Sequence, residues 1–218
     1  MMNETTLGVE PTGTTEYLII LPVIVISGLI GNAISLLTIF NSRLRYIPAN
    51  QYLICLTTSD TAFLLGLMIL IFKLDMASYM VCVLMEYTLM TSSYISSWTV
   101  AALTIERYIA LSRPLQHVQY AHKSRVRIML YWVPIPFILH LYQFVALVPP
   151  EPGDPIQRAC TIKRDKFNYY VDMADMLLCF IIPCAIVVIL NLLVACTMKK
   201  AKKQFRDSQT LRDSRRQG

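Results

Sequence analysis

Asp60 is the first residue to account for, because it places an ionisable group in an otherwise uncharged stretch, Tyr52–Phe72. A carboxylate in apolar surroundings is costly, and where it persists it marks a functional or tightly paired position. Two more polar residues can reach it if the apolar stretches around them are membrane-crossing helices. Asn32 lies eight residues before Phe40, Asp60 eight residues after Tyr52, and Ser96 eleven residues before Arg107. At 1.5 Å per residue the first two sit about 12 Å, and the third about 16 Å, above the same membrane face. A carboxylate with an amide and a hydroxyl is hard-oxygen chemistry suited to a proton or a small cation. The same three groups would equally form a structural hydrogen-bonded knot between helices.

A second constellation is Glu106-Arg107, an acid beside a base at the end of an apolar stretch. Such a pair can neutralise itself and exchange partners, which is the chemistry of a switch; a plain basic anchor at a membrane face is the alternative. The sequence holds no His-Glu-x-x-His, Cys-x-x-Cys, Gly-x-Ser-x-Gly or phosphate loop. His117 and His122 have no third ligand nearby, so no metal site is expected there. Neither an enzyme nor a metalloprotein is expected.

The elements that must position these residues follow from hydrophobicity. Of the 218 residues 55% are hydrophobic and 16% charged, against about 25% charged in soluble domains. With a mean hydropathy of +0.50, this argues against a soluble enzyme or a nucleic-acid binder despite the net charge of +6. A bilayer core of about 30 Å needs about 20 apolar residues in helix. Five stretches supply them, at residues 17–40, 52–72, 79–111, 128–150 and 172–198. Only helices satisfy their own backbone groups in lipid one segment at a time. The expected fold is an all-α membrane protein of five spans, preceded by a tail at 1–16 and followed by a basic segment at 199–218. Inverted repeats, which would point to a transporter, are not visible in the sequence.

Lys and Arg gather on cytoplasmic loops. With the amino terminus outside, the inner segments hold 15 of the 20 basic residues, and 10 of the 14 acids fall on the outer side or its interface. The first 16 residues carry three acids and no Lys or Arg, so the first span is expected to act as its own anchor rather than a cleaved leader. Asn3 opens an Asn-Glu-Thr glycosylation sequon on the outer side. Cys82 and Cys160 also face outward, where disulfides persist. Their bond would tether the Pro-rich loop Val148–Val171 over the mouth of the bundle and stabilise by about 2 to 4 kcal/mol. Cys55, Cys179, Cys184 and Cys196 fall within spans as small packing residues.

Taken together, the residues resemble the rhodopsin-like G-protein-coupled receptors, with a neuropeptide-type receptor the nearest kind. Gly31-Asn32 is similar to that family's first-helix pair, and Leu56-Thr57-Thr58-Ser59-Asp60 to its second-helix motif. Glu106-Arg107-Tyr108 followed by Arg113-Pro114-Leu115 resembles the end of the third helix and the inner loop after it. Cys82, 25 residues before Arg107, and Cys160 match the family's disulfide, while Trp132 and Pro183 match its fourth- and fifth-helix markers. The resemblance runs from Tyr17 to about Arg206 and covers helices one to five of seven.

The resemblance implies a receptor that binds an extracellular ligand and signals to heterotrimeric G proteins. Asp60, Asn32 and Ser96 would help hold a sodium ion; Arg107, restrained by Glu106 and flanked by Tyr108, would meet the G protein, and Leu115 after Pro114 would plug into it. Pro183 would mark a bulge in helix five beside the ligand pocket. That pocket would be lined by Glu86, Leu89, Met90, Ser93, Tyr94 and Asp175. Amine receptors of the family carry Asp where this chain has Leu89, so a peptide is the expected ligand, and the outer acids would favour a basic one. Ser97 and Asn191 stand where the family commonly has a large aliphatic residue and a Tyr, which alters the usual activation relay. The basic run from Lys199 to Arg206 would touch G protein or anionic lipid. Two forms fit these features: part of a signalling receptor of the plasma membrane, or a five-span isoform that does not signal but pairs with complete receptors and traps them.

Overall fold

A computed structural model of the protein describes residues 12–43, 48–72, 78–112, 125–150, 159–163 and 165–217. Asn3, Pro114 and Leu115 lie outside these residues, as do His117 and His122. Three unbroken helices come first: α1 (Thr12–Asn41), α2 (Pro48–Ile71) and α3 (Tyr79–Ser112). The fourth span is assembled from α4 (Arg125–Trp132), α5 (Pro134–Leu139), a 3-10 turn (His140–Tyr142) and α6 (Gln143–Ala146). The chain then forms two short strands, β1 (Leu147–Val148) and β2 (Thr161–Ile162), paired antiparallel with Leu147 opposite Ile162 and Val148 opposite Thr161. The fifth span runs through α7 (Lys166–Met176), a π-helical turn (Leu177–Ile181) and α8 (Ile182–Gln217). The fold is that of an all-α membrane protein.

Ile19–Asn41, Asn50–Ile71, Val126–Ala146 and Lys166–Lys200 are long and apolar enough to cross a membrane. At 34 residues α3 is longer than most of these but more polar, carrying Thr91, Ser92, Ser93, Ser96, Ser97 and Thr99 in its middle. Its position explains why. It packs against α2, α5, α6, the π turn and α8, and ten of its residues are buried. A helix enclosed by other helices need not be lipid-compatible all round. By contrast Ile19, Val23, Ile30 and Leu37 on α1 and Val188, Ile189 and Leu192 on α8 are exposed, an apolar surface far larger than a water-soluble monomer tolerates.

Hydroxyls in the spans are satisfied locally. Thr57, Thr61, Thr88, Thr99 and Thr104 each donate to the carbonyl four residues back in their own helix, which removes the cost of an unpaired donor in lipid. Two glycines let neighbouring helices close up. A Cβ on Gly28 would lie 2.8 Å from Leu64 Cδ1, and one on Gly66 would lie 2.7 Å from Leu89 Cδ2.

Three of the departures from the expected span boundaries have a clear local reason. The fourth helix ends at Ala146 rather than Pro150, because Leu147-Val148 pairs with β2 and the prolines that follow lack the N–H a helix needs. The fifth begins at Lys166 rather than residue 172, because the Asp165 carboxylate accepts the N–H of Asn168 at 2.8 Å and caps the first turn. Its far end continues to Gln217 instead of fraying after a few turns, since residues 199–217 contain neither Gly nor Pro and are rich in Lys, Arg and Gln, good helix formers.

Candidate functional site

The end of the bundle that carries the β hairpin is built around the Cys82–Cys160 disulfide, whose Cα atoms are 5.8 Å apart. Cys82 opens α3, and with Cys160, Val83 and Leu147 it forms a buried apolar cluster against Tyr79 and Ala159. Tyr79 donates its hydroxyl to the Leu147 carbonyl at 2.7 Å, and Lys163 N–H donates to the Ala146 carbonyl at 2.9 Å. The short hairpin is thereby fixed to the start of α3 and to the end of α6, and it roofs one side of an open cavity.

That cavity has a volume of about 790 Å³. Glu86 and Met90 line it from α3, Tyr142 and Gln143 from the fourth span, and Lys163 and Asp165 from the connection after β2. From α7 come Asn168, Tyr169, Asp172, Asp175 and Met176. Among the described residues four carboxylates therefore line it against one ammonium, so their contribution to the wall is of negative sign. Asp172 accepts a hydrogen bond from the Tyr142 hydroxyl at 3.1 Å, and Asp175 Oδ1 lies 3.3 Å from His140 Nε2. His140, only 3% exposed, also has Nδ1 2.8 Å from the Pro136 carbonyl, and its ring packs edge-on against Tyr94. These contacts lock the fourth span to α7 across the floor of the cavity.

Of the six expected pocket residues, the structure brings Glu86, Met90 and Asp175 to the cavity wall. The other three face elsewhere. Leu89 packs against Gly66 of α2, Ser93 lies beside Cys179 with Oγ and Sγ 3.6 Å apart, and Tyr94 is buried between Trp98 and His140. Three or four residues along a helix return to the same side, whereas one residue turns through about 100°. Met90 and Glu86 are four apart and share a face; Leu89 is turned off it.

Deeper in the bundle, Ser96 donates to Asp60 Oδ1 at 2.5 Å, linking α3 to α2. Asn32 is half-buried on α1 but makes no hydrogen bond to either residue among those described. Hard cations take six or more oxygen ligands. The two side chains brought together here do not by themselves form such a cage. Nearby, Trp98 donates its indole N–H to the Leu178 carbonyl at 3.0 Å. This carbonyl is available for a definite reason. The Ile182 N–H bonds back to Leu177, five residues away; in that register the next donor would come from residue 183, and Pro183 has none. The π turn thus lies directly before Pro183, and Trp98 takes up the orphaned oxygen. In the fourth span Trp132 is half-buried at the end of α4, where Pro134 interrupts the helix.

At the opposite end of α3, Glu106 and Tyr108 are half-buried and Arg107 is exposed. Adjacent helical residues do not face one another, so Glu106 and Arg107 point to different sides of α3.

Contributors not singled out from the sequence include His140, Tyr142, Gln143, Trp98, Tyr169 and Asp172. His140 carried a usable signal, since an imidazole within a membrane-crossing stretch is rare and usually faces the bundle interior.

A family model described as the seven-transmembrane receptor, rhodopsin family, matches residues 31–217. Among known proteins, the chain is 29% identical to neuromedin-U receptor 1 of Rattus norvegicus over 82% of its length and 45% of that protein's. It is 24% identical to 5-hydroxytryptamine receptor 2B of Dichotomyctere fluviatilis, over 90% of this chain and 44% of the relative. Succinate receptor 1 of Rattus norvegicus is also 24% identical, over 82% and 59%. The chain spans about half the length of these relatives.

Proposed function

The chain belongs to the rhodopsin family of seven-transmembrane receptors, and from that premise we propose that the protein containing it binds an extracellular peptide and activates heterotrimeric G proteins from the plasma membrane. The observation that carries the ligand half of this reading is the cavity of about 790 Å³ between α3, the fourth span and α7, roofed by the disulfide-held hairpin. It is open at the top and of a size that takes a side chain or a small peptide end. The relatives do not choose the ligand, because their names include an amine and a dicarboxylate, and so its class is read from this chain's own cavity. Its excess of carboxylates opposes an acidic ligand such as succinate. Leu89, turned toward Gly66, offers no anchor to a small amine.

The distribution of Lys and Arg supports an orientation with the amino terminus and the hairpin outside and the Arg107 end inside. In that orientation Arg107, exposed at the end of α3, stands at the cytoplasmic face, where it contacts the G protein. A sodium ion at the Asp60 layer would use Asp60 and Ser96 as two of its oxygens. The test is peptide-stimulated nucleotide exchange on G protein in membranes expressing the protein that contains this chain. Exchange in response to a basic peptide fraction is expected; exchange only with amines or carboxylic acids would overturn the peptide reading.

A further inference from the structure

Asp172 and Asp175 stand one turn apart on α7 and both line the cavity. Each has one oxygen engaged by the fourth span, Asp172 Oδ1 by the Tyr142 hydroxyl and Asp175 Oδ1 by His140. Those contacts fix the two carboxylates in orientation and leave each Oδ2 without a partner among the described residues. Acidic residues alone attract any cation and do not define a site. Gln143 supplies the second observation. It is only 5% exposed, it lines this cavity, and its carboxamide makes no hydrogen bond with any described residue. A ligand in the cavity can therefore complete the bonds of this amide. Tyr142 and Tyr169 add aromatic faces to the same wall.

Resting on the receptor reading above and adding to it the chemistry of the ligand, we propose that this cavity seats the guanidinium of an arginine side chain, paired with Asp172 and Asp175 and donating a further N–H to the Gln143 carboxamide oxygen. A guanidinium carries five N–H donors in a flat fork and stacks on aromatic rings, whereas an ammonium carries three on a compact head. Acceptors spread over two elements, with tyrosines on the same wall, suit the fork. The positive charge answers a wall on which, among the described residues, Lys163 is the one cation beside four carboxylates.

The test uses the protein containing this chain in phosphatidylcholine nanodiscs and three small probes read by saturation-transfer NMR: N-acetylarginine amide, the N-acetyllysine analogue, and the neutral, nearly isosteric N-acetylcitrulline amide. The arginine probe is expected to bind at least about tenfold tighter than citrulline, a difference of about 1.4 kcal/mol, and more tightly than lysine. Asp172→Asn with Asp175→Asn should bring arginine down to the citrulline level, and Gln143→Leu should weaken it about threefold or more. Equal binding of arginine and citrulline, equal binding of arginine and lysine, no binding of arginine, or variants that bind arginine unchanged would each overturn the proposal. The comparison of probes on the unaltered chain decides the matter even where a variant does not fold. Binding is read without a G protein, so a failure of signalling and a failure of this site are separate results.

Discussion

Ser96 donating to Asp60 is a single bond between α3 and α2, and its worth can be measured. Hydrogen bonds between membrane helices contribute about 0.6 kcal/mol on average, rising to about 2. Ser96→Ala is expected to lower thermal stability in detergent by that amount, and Ser96→Thr, which keeps the hydroxyl, to restore most of it; no change in either would show that the bond adds nothing. The position was legible in the sequence because an ionisable residue in an apolar stretch is conspicuous and because depth follows from counting at 1.5 Å per residue. Asn32 shows where counting stops. Counting places it at the depth of Asp60, but contact also requires the right rotation about the helix axis, which only packing decides. His140 and Gln143 escaped for another reason: a reading that looks for charges treats neutral polar residues in a long apolar stretch as part of its background.

Among the elements, the disulfide and the π turn shape the site most. Cys82 and Cys160 are 78 residues apart in sequence, and closing a loop of that length removes denatured-state freedom worth about 4 kcal/mol in the chain-entropy model. Cys160→Ser is therefore expected to free the hairpin from α3, seen as faster protease cleavage after Lys163; equal cleavage rates would contradict the tethering role. Pro183 is expected to act through the Leu178 carbonyl. Pro183→Ala supplies the missing N–H, and Trp98→Phe removes the indole donor, so the two changes address one oxygen and their effects on stability should not add. An additive double-mutant cycle would place the Trp98 bond outside the control of the π turn. The disulfide was visible from the two cysteines' location at one end of the spans. The start of the fifth helix was not, because Asp165 reads as a loop residue until its carboxylate is seen capping Asn168.

Across the whole molecule, α3 is the helix that meets every part of the proposed mechanism. It carries the disulfide at one end, Glu86 and Met90 at the cavity, Ser96 and Trp98 in the middle, and Arg107 at the other end. Its polarity made it the least obvious span by hydrophobicity alone, yet that polarity is what a central helix needs to bond with its neighbours. Arg107→Ala in the protein containing this chain is expected to reduce nucleotide exchange at least about tenfold while leaving ligand affinity unchanged; intact exchange would remove Arg107 from the coupling face. The most direct measurement fills the cavity itself. Met90→Trp places a larger side chain on its wall, and peptide-stimulated nucleotide exchange is then compared at matched surface expression with that of the unaltered protein. The expected result is a response shifted to at least about a hundredfold higher peptide concentration, whereas an unshifted response would place ligand binding elsewhere in the molecule.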